Sequence, residues 1–247
     1  MRVKKMAVLA LCSALLLSTG VQVSAKDYYQ KSYGSPKNGF GPKTAAYEKT
    51  GVIKYLELAE KDVGGIKARS VTAVKDFNLD GKKEKLELCI KPTNDATKAI
   101  IKINGKTVAT KNTSAIQWGV TSYKLGTKTI VVLYWGGLDN STSIVAYEWQ
   151  DNKLKKFSEY AYGMEIRYGV MKDQKSKKQV FFIQHNEQLS NHYGEKWPKN
   201  VLKKYKKYAK KKTTSVTRIV YERYQCKGNK LEKGQTDNYY YVSDVYN

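Results

Sequence analysis

The sequence predicts a mainly β protein built of antiparallel strands, with an N-terminal helix and a short lysine-rich amphipathic helix. From Ile66 onward, apolar and polar residues alternate with a period of two in most segments, which is typical of strands with one buried face. Tyrosine is abundant, with 20 Tyr against 5 Phe in 247 residues, and tyrosine favours half-buried strands. The pattern fits either an antiparallel meander or propeller-blade-like repeats.

The first 25 residues have the three regions of a secretory signal peptide. Arg2, Lys4 and Lys5 form a basic start, an apolar run extends from Met6 to Leu17, and Val23-Ser24-Ala25 is a small-residue cleavage site. The apolar run is too short to span a bilayer comfortably. The alternative is a buried N-terminal helix. We therefore predict a secreted, extracellular protein, either released or associated with the cell wall.

Two segments precede the first predicted strands. Residues 26–43 are rich in Gly, Lys, Tyr and Pro without any period, which predicts a flexible leader. Between Thr44 and Val63, apolar residues recur at near-helical spacing, and Gly64-Gly65 provides a stop. This segment is the predicted N-terminal helix. It begins a single β-rich domain over residues 44–247.

Strand candidates follow along the rest of the chain, separated by turn dipeptides such as Asn104-Gly105, Asp151-Asn152 and Gly228-Asn229. The predicted strands are Leu86–Ile90, Ile100–Ile103, Thr107–Ala109, Thr129–Trp135, Ser143–Trp149, Gln179–Gln184, Ser215–Tyr224 and Tyr239–Val242.

A weak internal repeat is present. Three loops, each preceding an apolar strand, recur about fifty residues apart. Separately, Ile144–Lys156 resembles Ile219–Lys233, and both segments contain Asn-Lys-Leu. Three units are too few for a closed propeller, and an ordinary sheet with recurrent hairpins is the alternative. The blade-like units would lie near 66–115, 116–163 and 164–247.

The sharpest motif is an acidic loop, residues 76–84, with the sequence DFNLDGKKE. Its oxygen-bearing side chains occur at alternate positions, and calcium prefers six or more hard oxygen ligands. The EF-hand pattern is met, with Glu87 at the twelfth position, but the flanking residues are strand-like and Lys83 occupies the eighth position. The alternative is an Asx-type turn, in which Asp76, Asn78 and Asp80 only accept hydrogen bonds from the backbone.

The acidic loop resembles the calcium loop of FG-GAP and VCBS-type repeats in secreted bacterial proteins, D-x-[DN]-x-D-G-x-x-[DE] within a β-hairpin. The resemblance implies a structural calcium ion. Its ligands would be the side chains of Asp76, Asn78, Asp80 and Glu84 and the carbonyl of Lys82. The order of elements also resembles that of small, mostly uncharacterised exported proteins of clostridia-type bacteria.

The segment Trp197–Lys212 contains eight lysines and no acidic residue. Val201, Leu202, Tyr205 and Tyr208 recur at helical spacing, which predicts a short amphipathic helix with a lysine-covered face. The whole chain has a net charge of +23, so an exported form would attract anionic envelope polymers or surfaces. A solvated face that serves solubility is the alternative. The lysines predicted to bind such polymers are Lys203, Lys204, Lys206, Lys207, Lys210, Lys211 and Lys212.

Candidate catalytic residues are few. His185, Glu187, His192 and Glu195 lie in one polar segment and could build a metal or acid–base site. Their spacing matches no zinc motif, and a polar surface loop is the alternative. The sequence also lacks the nucleophile-elbow, P-loop and dinucleotide motifs.

Removal of the signal peptide would leave Cys89 and Cys226. In an exported protein, two cysteines can form one disulfide. Two separate buried thiols are the alternative.

Together, these features favour an exported, non-catalytic bacterial protein with a structural calcium loop and a cationic surface for anionic cell-envelope polymers. A secreted hydrolase of wall or glycan polymers is one alternative. An inhibitor or partner of another exported protein is another. No nucleic-acid-recognition module is evident, so sequence-specific nucleic acid is not an expected partner.

Overall fold

The structure is a computed structural model. It describes residues 25–30, 51–57, 69–78, 80–93, 96–115, 117–136, 142–173, 176–190, 196–211 and 214–244. For residues 51–57, 162–165 and 244 only the backbone is described. The predicted signal peptide, except Ala25, lies outside these ranges. Within them, no helix combines the length and apolar character needed to cross a membrane.

The described residues form fourteen strands and one helix. The helix is α1 (Lys199–Tyr205). The strands are β1 (Lys26–Tyr29), β2 (Gly51–Glu57), β3 (Arg69–Lys75), β4 (Glu84–Pro92), β5 (Thr97–Ile103), β6 (Lys106–Thr113), β7 (Gln117–Leu125), β8 (Lys128–Gly136), β9 (Thr142–Gln150), β10 (Lys153–Lys172), β11 (Gln179–Ser190), β12 (Thr214–Lys227), β13 (Lys230–Lys233) and β14 (Asp237–Asp244).

The strands form two sheets. The larger has ten strands in the order β1–β14–β12–β11–β10–β9–β8–β7–β2, with β13 paired to β12. The smaller has the order β3–β4–β5–β6. All described pairs are antiparallel except β1 with β14. The mainly β, antiparallel prediction is therefore confirmed, and so is the lysine-rich helix.

The propeller-blade option is wrong for the described part of the chain. From residue 117 onward, successive strands pair edge to edge into one continuous sheet rather than into separate blades. Short hairpin turns cause this, because they place each strand beside the one before it. Asp151 and Asn152, for example, both adopt positive φ and connect β9 directly to β10.

The larger sheet folds over itself at β10. Residues 153–163 of this strand pair with β9, whereas residues 164–172 pair with β11, and the register shifts at three places along it. Such irregularities bend a strand. As a result, Ile130 of β8 and Tyr224 of β12 share one hydrophobic core, although three strands lie between β8 and β12 in the sheet.

The smaller sheet packs on the other face of β7–β9. Leu86 and Leu88 of β4 share a core with Val131 and Leu133 of β8, while their neighbours Ile130 and Val132 belong to the core inside the folded sheet. The strands β7–β9 are thus a middle layer that is buried on both faces. This explains the nearly continuous apolar runs of β8 and β9.

The two predictions for the N-terminal segments are wrong where the structure describes them. Lys26–Tyr29, predicted as part of a leader, forms the edge strand β1. Gly51–Glu57, predicted inside a helix over Thr44–Val63, forms β2 and pairs with β7. A short apolar run fits both the helical and the strand period, and the pairing partner on β7 decides between them. Residues 31–50 and 58–63 lie outside the described residues.

Gly119 of β7 lies beneath the phenol ring of Tyr134, its cross-strand neighbour on β8. A Cβ atom on residue 119 would lie 2.0 Å from the Cζ atom of that ring. We expect Gly119→Ala to displace the ring and to lower the free energy of unfolding by about 1–3 kcal/mol, as measured by urea denaturation. Gly234→Ala is the control, because its nearest atom would be 3.5 Å away. Equal stability of the two variants would contradict the prediction.

Candidate functional site

The acidic loop connects β3 to β4 at the edge of the smaller sheet. The last described pair of this ladder is Lys75 with Glu84, so the two ends of the loop lie side by side. Gly81 has a φ of +87°, a conformation that glycine adopts without strain. The chain therefore turns back sharply enough to bring Asp76 close to Glu84.

Three carboxylates converge in this loop. One oxygen from each of Asp76, Asp80 and Glu84 lies within 4.8 Å of the other two. Glu84 is only 4% exposed. The backbone N–H of Lys82 and the amide of Asn78 lower the pKa of Asp80, so this carboxyl stays charged at neutral pH. The oxygen-only donor set fits a hard cation such as calcium rather than zinc.

Hydrogen bonds within the loop also fold it. The Asp76 carboxylate accepts from the N–H groups of Asp80 at 3.1 Å and of Gly81 at 2.9 Å. Asn78 Oδ1 accepts from Asp80 N at 3.0 Å, and Lys82 N donates to Asp80 Oδ1 at 2.8 Å. These are the bonds of an Asx-type turn. The loop therefore has the side chain–backbone bonds of the turn and the converging carboxylates of an ion site.

Phe77 ties the acidic loop to the larger sheet. Its side chain is buried, and its ring stacks on Trp149 of β9 with centroids 5.3 Å apart. Its N–H donates to Glu84 Oε2 at 2.9 Å, and its carbonyl accepts from the hydroxyl of Thr129. Phe77 thus connects Glu84 of the acidic loop to Trp149 in the contact between the two sheets.

Lysines surround the acidic loop. Burial lowers the pKa of Lys124, although Asp76 and Glu84 act in the opposite direction. Four further lysines, at positions 75, 82, 83 and 85, are exposed. Their positive potential reduces the attraction of the carboxylates for a cation.

The lysine-rich segment presents a charged surface. Helix α1 buries Val201 and Tyr205 and exposes Lys203 and Lys204, and turns continue it to Lys210. We define the lysine patch as the six described and exposed lysines of the predicted set. They are Lys203, Lys204, Lys206, Lys207, Lys210 and Lys211. Lys212 lies outside the described residues.

The N-terminal strand holds the lysine patch in place. The hydroxyl of Tyr205 shares its one hydrogen between the carbonyls of Gln30, at 3.1 Å, and Tyr240, at 2.8 Å. The amide of Asn200 donates to the Asp27 carboxylate at 2.8 Å. Helix α1 is thus bound to β1 and β14 at once. Sequence reasoning missed this role of residues 27–30 because their composition indicated a leader.

Two of the four candidate catalytic residues are described. His185 and Glu187 lie on one face of β11, with His185 Nδ1 3.6 Å from Glu187 Oε1. Glu187 also forms an ion pair with Arg218, and the imidazole lies 4.2 Å from the ring of Tyr160, centroid to centroid. Burial lowers the pKa of His185, so the imidazole is neutral at pH 7. His192 and Glu195 lie outside the described residues.

Glu222, which the sequence did not single out, lies beside this histidine. Its carboxylate accepts a hydrogen bond from Tyr224 at 2.8 Å and forms an ion pair with Lys233. Burial acts to raise its pKa, but the hydrogen bonds from Lys233, Tyr160 and Tyr224 outweigh burial and lower it. Glu222 is thus bonded to Tyr160, Tyr224 and Lys233. These bonds stabilise the packing of β10, β11 and β12.

The buried imidazole predicts a loss of stability in weak acid. Because the pKa of His185 is lower in the folded protein than in the unfolded chain, the unfolded chain binds the extra proton first. As the pH falls from about 6.5 towards 5, we expect the free energy of unfolding to fall by at most about 1.4 kcal/mol per pH unit. Urea denaturation at several pH values measures this slope.

His185→Gln removes the imidazole and keeps a polar side chain, and it should flatten the slope between pH 6.5 and 5. Carboxylates with lowered pKa, such as Glu222 and Asp80, contribute only at lower pH. An unchanged slope in His185→Gln would refute the assignment of this acid sensitivity to His185.

Cys89 and Cys226 are free thiols in this structure and form no disulfide with each other. The two residues lie on different sheets. The thiol of Cys89 is 2.8 Å from Glu87 Oε1, and that of Cys226 is 3.2 Å from the carbonyl of Leu125. Burial raises the pKa of both thiols, which keeps them protonated and unreactive at neutral pH.

Comparison with protein-family models, with curated proteins and with solved structures found no match for this chain. The resemblance of the acidic loop to FG-GAP and VCBS-type repeats therefore stays a prediction.

Proposed function

We propose that the protein is an exported, non-catalytic binder of anionic cell-envelope polymers, and that its acidic loop holds a structural calcium ion. The lysine patch is the observation that carries this proposal. It presents six exposed lysines on one short segment, and Tyr205 and Asn200 hold that segment against the sheet.

The charge of the whole chain supports the same partner. A net charge of +23 attracts polyanions over distances of about a Debye length. Lysine binds phosphate or carboxylate groups as a point charge without strict geometry. The patch would therefore select a polymer by its charge density, and binding would weaken steeply as salt is added.

Export has support from the position of the predicted cleavage site. Lys26 is the first residue of β1, so cleavage after Ala25 would leave this strand, with its contacts to α1 and β14, whole in the mature chain. N-terminal mass analysis of the secreted protein tests this step. A chain that retains residues 1–25 outside the cell would refute it.

Binding to purified bacterial cell walls that carry teichoic acid tests the polymer proposal. We expect the triple variant Lys203→Gln, Lys204→Gln, Lys207→Gln to bind less tightly at low salt than the parent protein. The slope of log affinity against log salt should decrease by roughly one for each phosphate group that the variant no longer neutralises.

The control for this experiment removes the same charge elsewhere. Lys106, Lys172 and Lys178 are exposed lysines in other elements, and changing all three to Gln should leave the salt slope nearly unchanged. Equally weakened binding by the two triple variants, or binding that does not respond to salt, would refute a localised polymer site.

The proposed calcium ion would stabilise the turn. The carboxylates of Asp76, Asp80 and Glu84 would hold it, and the positive charge would relieve the repulsion among them. Extracellular calcium sites of this kind bind at roughly 10⁻⁴–10⁻³ M, and the surrounding lysines favour the weaker end. Because Phe77 connects the loop to Trp149, the ion would strengthen the docking of the smaller sheet.

A further inference from the structure

Two hairpins of related sequence meet at one cleft. The hairpin of β9 and β10 turns at Asp151-Asn152, and that of β12 and β13 turns at Gly228-Asn229. Both continue into Asn-Lys-Leu, and a cleft of about 540 Å³ lies between them. We propose that this cleft binds a phosphodiester flanked by hydroxyl groups, the repeating chemistry of a polyol phosphate. It is lined by Glu148, Gln150, Lys155, Asn229, Lys230, Leu231 and Glu232.

Each hairpin contributes one lysine to the cleft, Lys155 from the first and Lys230 from the second. Both are exposed, and within the described part of the chain neither forms an ion pair with a carboxylate. Two ammonium groups from separate hairpins supply the positive charge that a phosphate group needs. The other charged residues that line the cleft, Glu148 and Glu232, are already paired.

The paired carboxylates decide which phosphate fits. Glu148 is buried with Lys128, their side chains 10% and 9% exposed, and Glu232 pairs with Lys227 at 2.8 Å. The two lysines attract a phosphate monoester at least as strongly as a phosphodiester, but its dianion has no hydrogen-bond donor to offer these carboxylates. A phosphodiester carries one charge, and flanking hydroxyls can donate hydrogen bonds to carboxylate oxygens. The amides of Gln150 and Asn229 can both donate to and accept from such a ligand.

The composition of the cleft disfavours nucleic acid. Among the described residues that line it, Leu231 is the one apolar side chain and none is aromatic. The nearest rings along these strands, Trp149 and Tyr224, are 5% and 4% exposed and belong to the hydrophobic cores. Non-specific binding of single strands depends on exposed aromatic faces on which bases stack. A phosphodiester of a small polyol needs no such face.

The choice of ligand rests on the proposed function, but the site is separate from the lysine patch. The patch would respond to the charge of a long polymer, whereas the cleft would recognise one repeating unit. A short ligand with a single phosphodiester therefore distinguishes the two sites, because it gains nothing from the charge density that the patch requires.

Titration with glycerophosphoglycerol, followed by NMR shifts of backbone amides, tests the proposal. We expect shifts centred on the Asn-Lys-Leu residues of both hairpins. Lys155→Gln and Lys230→Gln should each weaken binding at least fivefold. Lys106→Gln and the triple variant of the lysine patch should change it less than twofold. All these side chains are exposed, so the variants should fold, which circular dichroism verifies.

Two results would overturn the cleft site. In one, Lys155→Gln and Lys230→Gln bind the diester as tightly as Lys106→Gln does. In the other, inorganic phosphate or a single-stranded oligonucleotide binds the cleft as tightly as the diester. Failure of the lysine patch in the cell-wall experiment, with intact diester binding, would refute the proposed function and leave the cleft site standing. Loss of diester binding with intact wall binding would refute the cleft site and leave the proposed function standing.

Discussion

Replacement of Trp118 by alanine is expected to lower the free energy of unfolding by about 3–5 kcal/mol. The side chain is fully buried in the core shared by the two sheets. It stacks on Trp135 with centroids 5.6 Å apart, and its indole N–H donates to the carbonyl of Ala115 at 3.3 Å. Alanine would leave a cavity between the sheets, remove one aromatic pair and remove one of the two hydrogen bonds that the Ala115 carbonyl accepts.

Thermal and urea denaturation measure this destabilisation, which corresponds to a decrease in Tm of roughly 10 °C for a chain of this size. Trp118→Phe retains a ring and should be destabilised about half as much. Leu202→Ala serves as the exposed control, because Leu202 is 39% exposed and should change stability by at most about 0.5 kcal/mol. Equal stability of Trp118→Ala and Leu202→Ala would contradict the packing of the smaller sheet against Trp118 and the other core residues of β7–β9.

Calcium is expected to raise the thermal stability of the protein. A ligand at about ten times its dissociation constant adds about 1.4 kcal/mol, so about 10 mM calcium at a site of about 10⁻³ M should raise Tm by about 3–5 °C. Tryptophan fluorescence should change over the same concentration range, since Phe77 stacks on the indole of Trp149. Melts in calcium, in magnesium and in chelator measure the effect.

Two variants with the same change of charge isolate the site. Asp80→Asn removes one of the three converging carboxylates. Asp151→Asn removes an exposed carboxylate from another turn, at a positive φ that asparagine tolerates. The calcium-induced rise in Tm should disappear in Asp80→Asn and persist in Asp151→Asn. A rise in both variants, or none in the parent protein at 10 mM calcium, would leave the acidic loop as an Asx-type turn without an ion.

Much of the β structure is readable from local sequence. The alternation in Leu86–Ile90 and the apolar run in Thr129–Trp135 lie within β4 and β8, because strand patterning depends on residues two positions apart. The turn at Asp151-Asn152 is also local, since both residues adopt positive φ. The acidic loop could be located from its spacing for the same reason.

Other features depend on partners far away in sequence. Gly51–Glu57 becomes a strand because the edge of β7, more than sixty residues later, pairs with it. Lys26–Tyr29 is ordered by β14 at the far end of the chain. Glu222 and His185 come together only because β11 pairs with β12. No periodicity within one segment can indicate these contacts.

The sequence by itself therefore determined the strand class, the hairpin turns, the acidic loop and the lysine-bearing face of α1. The tertiary structure decided that β10 bends the larger sheet over itself, that Phe77 joins the acidic loop to Trp149, and that two related hairpins enclose one cleft. Local patterns record which side of a segment is apolar. The burial of that side against another segment selects the partner, because the free energy of burial depends on which surfaces meet.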